Sequence, residues 1–433
     1  MTRTALIAAL ALLCAAAGAG DWPQWRGPAL NGSAEERRLP HAWSPTENTL
    51  WVAALPGPAA ATPVVVGDRV FVSSTVRGSD DLLALCYRVR DGALLWERKA
   101  SAADARPPSN TMAAPSPVAD RRRVFFLYGT GDLAAFTADG KPLWTRRLGE
   151  AHGRLSQKFG YGSSPLLHGN RIYVQVLRCE DPPAWAGNGT RPIDSFLLAL
   201  DAATGKDVWK RVRQTEAIQE SQDAYTTPVL YRGRRGAQIL VAGGDVVTAH
   251  DPATGAEAWR VAYNPRRRRD WRLVPSPVPG DGMVYAVAAR TGSPLFAIPE
   301  GRAGAIPWND LAWVFDRDTP DVCTPLLYRG RLYVLADERR AISCLDPRTG
   351  RRLWQGDLER RAIYRTSPTG ADGKVYCISE AGDVTVLAAG DRFKVLSRFS
   401  MGERPVHASI AAAGGRLFVR TARSLHCIGF PRR

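Results

Sequence analysis

A Ser-Pro or Thr-Pro dipeptide recurs at Thr62-Pro63, Ser116-Pro117, Ser164-Pro165, Thr227-Pro228, Ser276-Pro277, Thr324-Pro325 and Ser367-Pro368, and Ser409-Ile410 makes an eighth copy without the proline. The intervals between the second residues are 54, 48, 63, 49, 48, 43 and 42. A unit of that length cannot bury its apolar face alone, so successive units must stack and share one core. Six anchors are followed by a glycine turn and a strand-like run with an aromatic residue: Gly67 to Phe71, Gly169 to Tyr173, Gly282 to Tyr285, Gly330 to Tyr333, Gly373 to Tyr376 and Gly415 to Phe418. Many positions in these runs are apolar on both faces, as expected of sheets packed on two sides.

A second signal closes each unit. Glycine precedes tryptophan by four residues at Gly92 and Trp96, Gly140 and Trp144, Gly205 and Trp209, Gly255 and Trp259, and Gly350 and Trp354. Asp or Thr stands directly before each glycine, which gives the D-G or T-G turn of an antiparallel hairpin. Three copies extend upstream to Asp201, Asp251 and Asp346, in the strings LALDAATGKDVW, TAHDPATGAEAW and SCLDPRTGRRLW. These aspartates are expected to accept hydrogen bonds from turn amides. The tryptophans are expected between adjacent sheets, where a large flat side chain fills the wedge.

The pattern predicts an all-β chain, an eight-bladed β-propeller of four-stranded antiparallel blades. The last repeat stops after Leu425-His426-Cys427 without a tryptophan strand, while Leu50-Trp51-Val52 precedes the first anchor with none of its own. The N-terminal strand near Trp51 is therefore expected to complete the eighth blade and leave no open edge. Blade three carries a Pro- and Gly-rich insertion from Cys179 to Pro192. Blade five lacks the glycine-tryptophan signature and offers Trp313 or Phe315 for its outer strand, and blade seven offers Phe393 and Val395.

Three segments are expected: a secretory leader over 1–19, a Pro- and Trp-rich extension over 20–49, and a single propeller over 50–433. The leader reading rests on Arg3, the apolar run Ala5 to Ala17 and the small residues Ala17, Gly18 and Ala19. It implies a periplasmic or secreted, cell-envelope protein; Cys14 inside the apolar run leaves a lipid anchor as the less favoured alternative. The extension holds Asp21-Trp22-Pro23-Gln24-Trp25-Arg26-Gly27-Pro28, too rich in proline and glycine for a helix, and its two tryptophans should pack on the propeller or cover one channel mouth. The formal charge of +16 favours acidic partners, either an anionic envelope component or an acidic protein face. Export argues against a physiological nucleic acid. No stretch after the leader is long and apolar enough to span a membrane, and a monomer is expected.

These strings resemble the PQQ-like β-propeller repeat family over Leu50 to about Phe430. That family includes quinoprotein alcohol dehydrogenases and the non-catalytic assembly factor of the outer-membrane Bam complex, and DWPQWRGP is similar to the start of many exported members. The resemblance implies, for the enzymes, pyrroloquinoline quinone and calcium in the axial channel, an aspartate base and an adjacent cysteine pair over the quinone. No adjacent cysteine pair exists here. Nor is there a C-x-x-C, H-E-x-x-H, G-x-S-x-G or P-loop spacing.

The loops that precede the anchors should meet at one channel mouth. They supply Asn110, Lys158, Tyr161, Gln222, Asp223, Tyr225, Trp271, Arg272, Asp321, Tyr364, Arg365, Arg404 and His407. His407 is the one histidine among them, and Asp223 or Asp321 across the mouth is its candidate partner in general-base work. Two readings follow. The first is a non-catalytic exported propeller, not an enzyme, acting as a protein-interaction or ligand-binding scaffold. It has no catalytic or metal residues, unknown cofactor-binding residues and no expected cofactor, and it meets partners through loops such as those with Trp185 or with Trp22 and Trp25. The alternative is a PQQ- and calcium-dependent dehydrogenase acting on an alcohol or sugar. It requires a carboxylate, an arginine and a stacking tryptophan such as Trp271 or Trp313 within one axial pocket.

Overall fold

The computed structural model of the protein describes residues 20–155, 157–179, 194–280, 282–290, 292–358 and 363–431. The expected leader and the insertion that holds Trp185 lie outside them. Eight antiparallel sheets of four strands form the blades of a β-propeller, one sheet gaining a fifth strand. Blade one runs from the axis outward through Val64–Val66, Arg69–Thr75, Asp81–Arg88 and Leu94–Ala102. Blades two to seven repeat this order. Blade eight takes Ala411–Ala413, Arg416–Arg420 and Ser424–Ile428 from the C-terminal end and Thr49–Ala54 from the N-terminal end, with Trp51 opposite Cys427. The expected strand near Trp51 thus closes the ring.

Middle strands are buried on both faces, as in Arg331–Ala336 and Ala341–Leu345, because each sheet is covered by a blade on either side. Outer strands alternate toward solvent, as in Pro142–Arg147. The Trp259 indole donates to Gln238 of its own blade, while six other outer tryptophans lean onto the next blade. The indole N–H groups of Trp51, Trp96, Trp144, Trp209, Trp313 and Trp354 donate to Val89, Ala138, Ala202, Pro252, Pro347 and Gly390 carbonyls there. Five of these rings lie against a turn glycine of the neighbour: Gly92, Gly140, Gly205, Gly255 and Gly350. Asp201 and Asp251 each accept two turn amides and a threonine hydroxyl, and Asp346 accepts two amides. The repeated residues hold blade to blade and turn to turn.

The Ser/Thr of the anchors forms a closed belt around the axis. The N–H of Thr62 donates to the Ser116 hydroxyl at 2.9 Å, and Ser116 to Ser164 at 3.0 Å. The series continues through Thr227, Ser276, Thr324, Ser367 and Ser409 at 2.8–3.1 Å. The Ser409 N–H returns to the Thr62 hydroxyl at 3.2 Å. This explains why Ser409 keeps a hydroxyl although its proline is lost.

Blade five ends on Trp313–Phe315, and a loop strand, Gly304–Ala305, pairs in parallel with blade four's outer strand Glu257–Ala262. Among the described residues no helix is long and apolar enough to cross a membrane.

Candidate functional site

In each blade the inner strand leaves its anchor away from one end of the channel. The loops before the anchors and the turns between second and third strands therefore collect at that end. They enclose an axial cavity of about 1110 Å³. Anchor-preceding loops contribute Asn110, Phe159, Tyr225, Arg272, Asp321, Arg365 and His407, and turns contribute Arg290, Glu338 and Glu380. Hydroxyls of the belt, including Thr62, Ser164 and Ser367, line the wall, and Trp25 lines it as well.

Two charged groups stand out. His407 Nε2 lies 2.7 Å from Glu380 Oε1, both groups facing the cavity. Arg272 donates to Asp321 Oδ2 at 2.8 Å, stands 3.7 Å from Glu220 and lies over the Phe159 ring at 5.3 Å. Lys158 bonds the other Glu220 oxygen at 2.7 Å. Beneath them, Asp223 accepts the amides of Lys158 and Cys179, and Asp337 accepts those of Asp321 and Val322. Burial raises both carboxyls to about 6, so they brace the loops at a cost in desolvation.

Several expected mouth residues face elsewhere. Tyr161 is buried with its hydroxyl on the Gln175 carbonyl at 2.7 Å, and Tyr364 is wholly buried, because short loops running down into the inner strands turn some side chains inward. Asp223 is buried and committed to loop amides, so it is not the partner of His407. Asp321 is committed to Arg272, and Glu380 takes the place that either aspartate was expected to fill. Lys158, Gln222, Trp271 and Arg404 lie outside the cavity wall, with Arg268 stacked over Trp271 at 5.5 Å. Trp313 is a blade clamp, so neither Trp271 nor Trp313 serves the pocket. Trp22 is fully buried against Val65 and Trp25 turns into the cavity, which corrects the expectation of a partner-facing surface there. Glu380, Glu338 and Arg290 escaped the sequence reading because only loops before the anchors were considered. The alternation of four antiparallel strands puts the turns at the same mouth and would have found them.

The family model described as outer membrane protein assembly factor BamB matches residues 33–175, 86–312 and 280–393. The chain belongs to this PQQ-like propeller family. Membership places the protein in the cell envelope, periplasmic or outer-membrane-associated. BamB from Moraxella catarrhalis superposes with a TM-score of 0.60 at 16% identity, over 88% of this chain and 99% of that one. The quinohemoprotein alcohol dehydrogenase of Comamonas testosteroni superposes with a TM-score of 0.68 at 12% identity, over 96% of this chain and 82% of that one. At those identities the likeness is one of fold.

Curated relatives speak to activity. A polyvinylalcohol dehydrogenase of Sphingopyxis sp. strain 113P3 is 28% identical over 200 residues, 45% of this chain and 28% of that protein. The quinohemoprotein alcohol dehydrogenase of Comamonas testosteroni is 30% identical over 174 residues, 37% of this chain and 23% of that protein. The chain spans less than a third of the length of these relatives. They are dehydrogenases, and this overturns the expectation of a non-catalytic scaffold that is not an enzyme. Carboxylates, arginines and a tryptophan do meet in one axial cavity, with Trp25 there in place of the expected Trp271 or Trp313.

The wall suits the quinone that such enzymes use better than it suits their calcium ion. Arg365 presents a cation for the carboxylates of a flat tricyclic acid, Arg272 and Arg290 line the wall from within ion pairs with Asp321 and Asp270, and Trp25 and Phe159 present aromatic surface. Among the described residues no group of three or more His, Cys, Asp or Glu side chains gathers to hold a metal.

Proposed function

We propose that this BamB-family propeller is an envelope dehydrogenase that oxidises a hydroxyl-bearing substrate in the axial cavity, with a quinone of the PQQ type as electron acceptor. The observation that carries the reading is the hydrogen-bonded His407–Glu380 pair in a cavity that also holds arginines and a tryptophan. The kinship with dehydrogenases supports it. The bound quinone would supply the two-electron acceptor. His407, whose Nε2–H donates to Glu380, takes the proton of the substrate hydroxyl at Nδ1. Arg365, which lines the cavity, holds an acidic group of the acceptor. In the same reading residues 20–49 serve the propeller of 50–433, a leader over 1–19 directs export, the chain acts as a monomer, and its arginine-rich loops face an anionic envelope component.

The test is titration of the purified protein with pyrroloquinoline quinone, with and without calcium, followed by dye-linked oxidation of primary alcohols, sugars and polyvinyl alcohol. Saturable one-to-one binding with turnover supports the reading, and His407→Ala should lower kcat about 100-fold or more while leaving the fold unchanged. Absence of binding up to about 100 μM, a limit of roughly −5.5 kcal/mol, would sink it.

A further inference from the structure

The N-terminal extension does more than decorate the propeller. Trp22 forms a two-way backbone bridge with Val65 on the inner strand of blade one, and the Pro23 carbonyl accepts the Ala119 amide of blade two. Arg26 then crosses the axis. Its guanidinium donates to the Pro325 carbonyl at 2.9 Å and the Pro368 carbonyl at 2.8 Å, in blades six and seven. A third bond, at 3.3 Å, returns to the Asn31 carbonyl of its own loop. Asn31 accepts the Leu327 amide, and Ala34 donates to Gly370. The chain therefore spans from blade two to the opposite blade six. It lies beside the anchor prolines, directly under the hydroxyl belt.

This geometry has one outlet. Trp22 and Arg26 are fully buried, whereas Trp25 between them is only half-buried, and the surface it leaves uncovered lines the axial cavity. Gly32 is required beneath, since a Cβ there would stand 1.9 Å from the Arg26 guanidinium. Arg26 in turn sits 5.9 Å from the Trp25 ring centre. An indole held from below by an arginine with three carbonyl partners is a stiff platform. A fixed aromatic face in a cavity with arginines on its walls fits a flat, conjugated, acidic molecule better than an extended saturated one.

We propose that residues 21–31 form the floor of the site, with Trp25 as the surface on which a flat anionic ring system stacks and Arg26 as the residue that positions it. The proposal rests on the axial cavity being the functional site, but it concerns this chain's own extension and does not require turnover. Stacking on one aromatic side chain is commonly worth a factor of roughly 5 to 150 in affinity.

The experiment compares wild type, Trp25→Ala and Trp25→Phe by calorimetry with pyrroloquinoline quinone, with thermal unfolding as the control for folding. The alanine variant should bind about 10-fold or more weakly with an unchanged unfolding temperature, and the phenylalanine variant should recover most of the loss. Equal affinity for wild type and Trp25→Ala overturns the floor and leaves the dehydrogenase reading standing. Should wild type ignore the quinone, the dehydrogenase reading fails, and riboflavin 5′-phosphate, another flat tricyclic anion, serves as the probe. Binding of that probe by wild type and its loss in Trp25→Ala keeps the floor; no binding, or binding indifferent to the substitution, overturns it.

Discussion

At the scale of single residues, the site is braced by carboxyls that the reaction does not use. Asp337 is buried, grips the amides of Asp321 and Val322, and is raised to about 6 mainly by loss of solvent, with Asp321 adding to the shift. Its folded value lies above the unfolded one. The stability it contributes is therefore complete below about 4 and is lost as the pH rises through about 6. Asp337→Asn stays neutral throughout, so the wild-type melting temperature minus the variant's should fall between pH 4.5 and 7.5. A flat difference would show that solvent reaches the carboxyl. The residues that sequence alone placed correctly in the wall, Asn110, Tyr225, Arg272, Asp321, Arg365 and His407, came from loop position. Those misplaced, Lys158, Tyr161, Gln222, Asp223, Trp271, Tyr364 and Arg404, failed because loop position says nothing about which way a side chain turns. That Trp25 and not Trp22 would face the cavity was beyond reach for another reason. Its neighbour Arg26 is fixed by carbonyls 299 and 342 residues away, and no local pattern encodes such a contact.

At the scale of the element, one rule repeats around the ring. Every outer tryptophan sits across its ladder from a small side chain: Cys427, Cys86, Ala135, Ala199, Ala249, Ala297 and Cys344 face Trp51, Trp96, Trp144, Trp209, Trp259, Trp313 and Trp354. Cys86, Cys344 and Cys427 are thus volume choices, buried thiols held at about 12 by loss of solvent. The next blade adds the glycine. Gly140 has φ of 81°, and a Cβ there would stand 2.6 Å from the Trp96 ring. Gly140→Ala should therefore cost about 2–4 kcal/mol from backbone strain and overpacking together. Chemical unfolding measures it, and a cost below 1 kcal/mol would mean that the clamp yields. The clamp was legible because glycine and tryptophan recur at fixed spacing. The parallel strand Gly304–Ala305 was not, since two exposed residues pairing through backbone alone carry no side-chain signature.

At the scale of the whole molecule, the belt of anchor hydroxyls and the strand from Thr49 to Ala54 make the ring continuous. Ser276 is buried and its hydroxyl accepts the Thr227 amide at 2.8 Å. Ser276→Ala leaves that amide without its partner, and a loss of about 1–3 kcal/mol in chemical unfolding is expected, against little change if water fills the gap. Blade number and closure were readable from the eight anchors, whereas activity was not, because a propeller mouth assembles its chemistry from residues far apart in sequence. The seating of the extension carries a consequence for how the chain comes together. Arg26 and Thr49–Ala54 emerge early in synthesis, yet their partners Pro325, Pro368 and Ser424–Ile428 emerge late. Contacts of such long sequence separation are slow to form. The extension thus docks only after the last blades exist, and until then blade eight lacks its outer strand and the cavity lacks its floor.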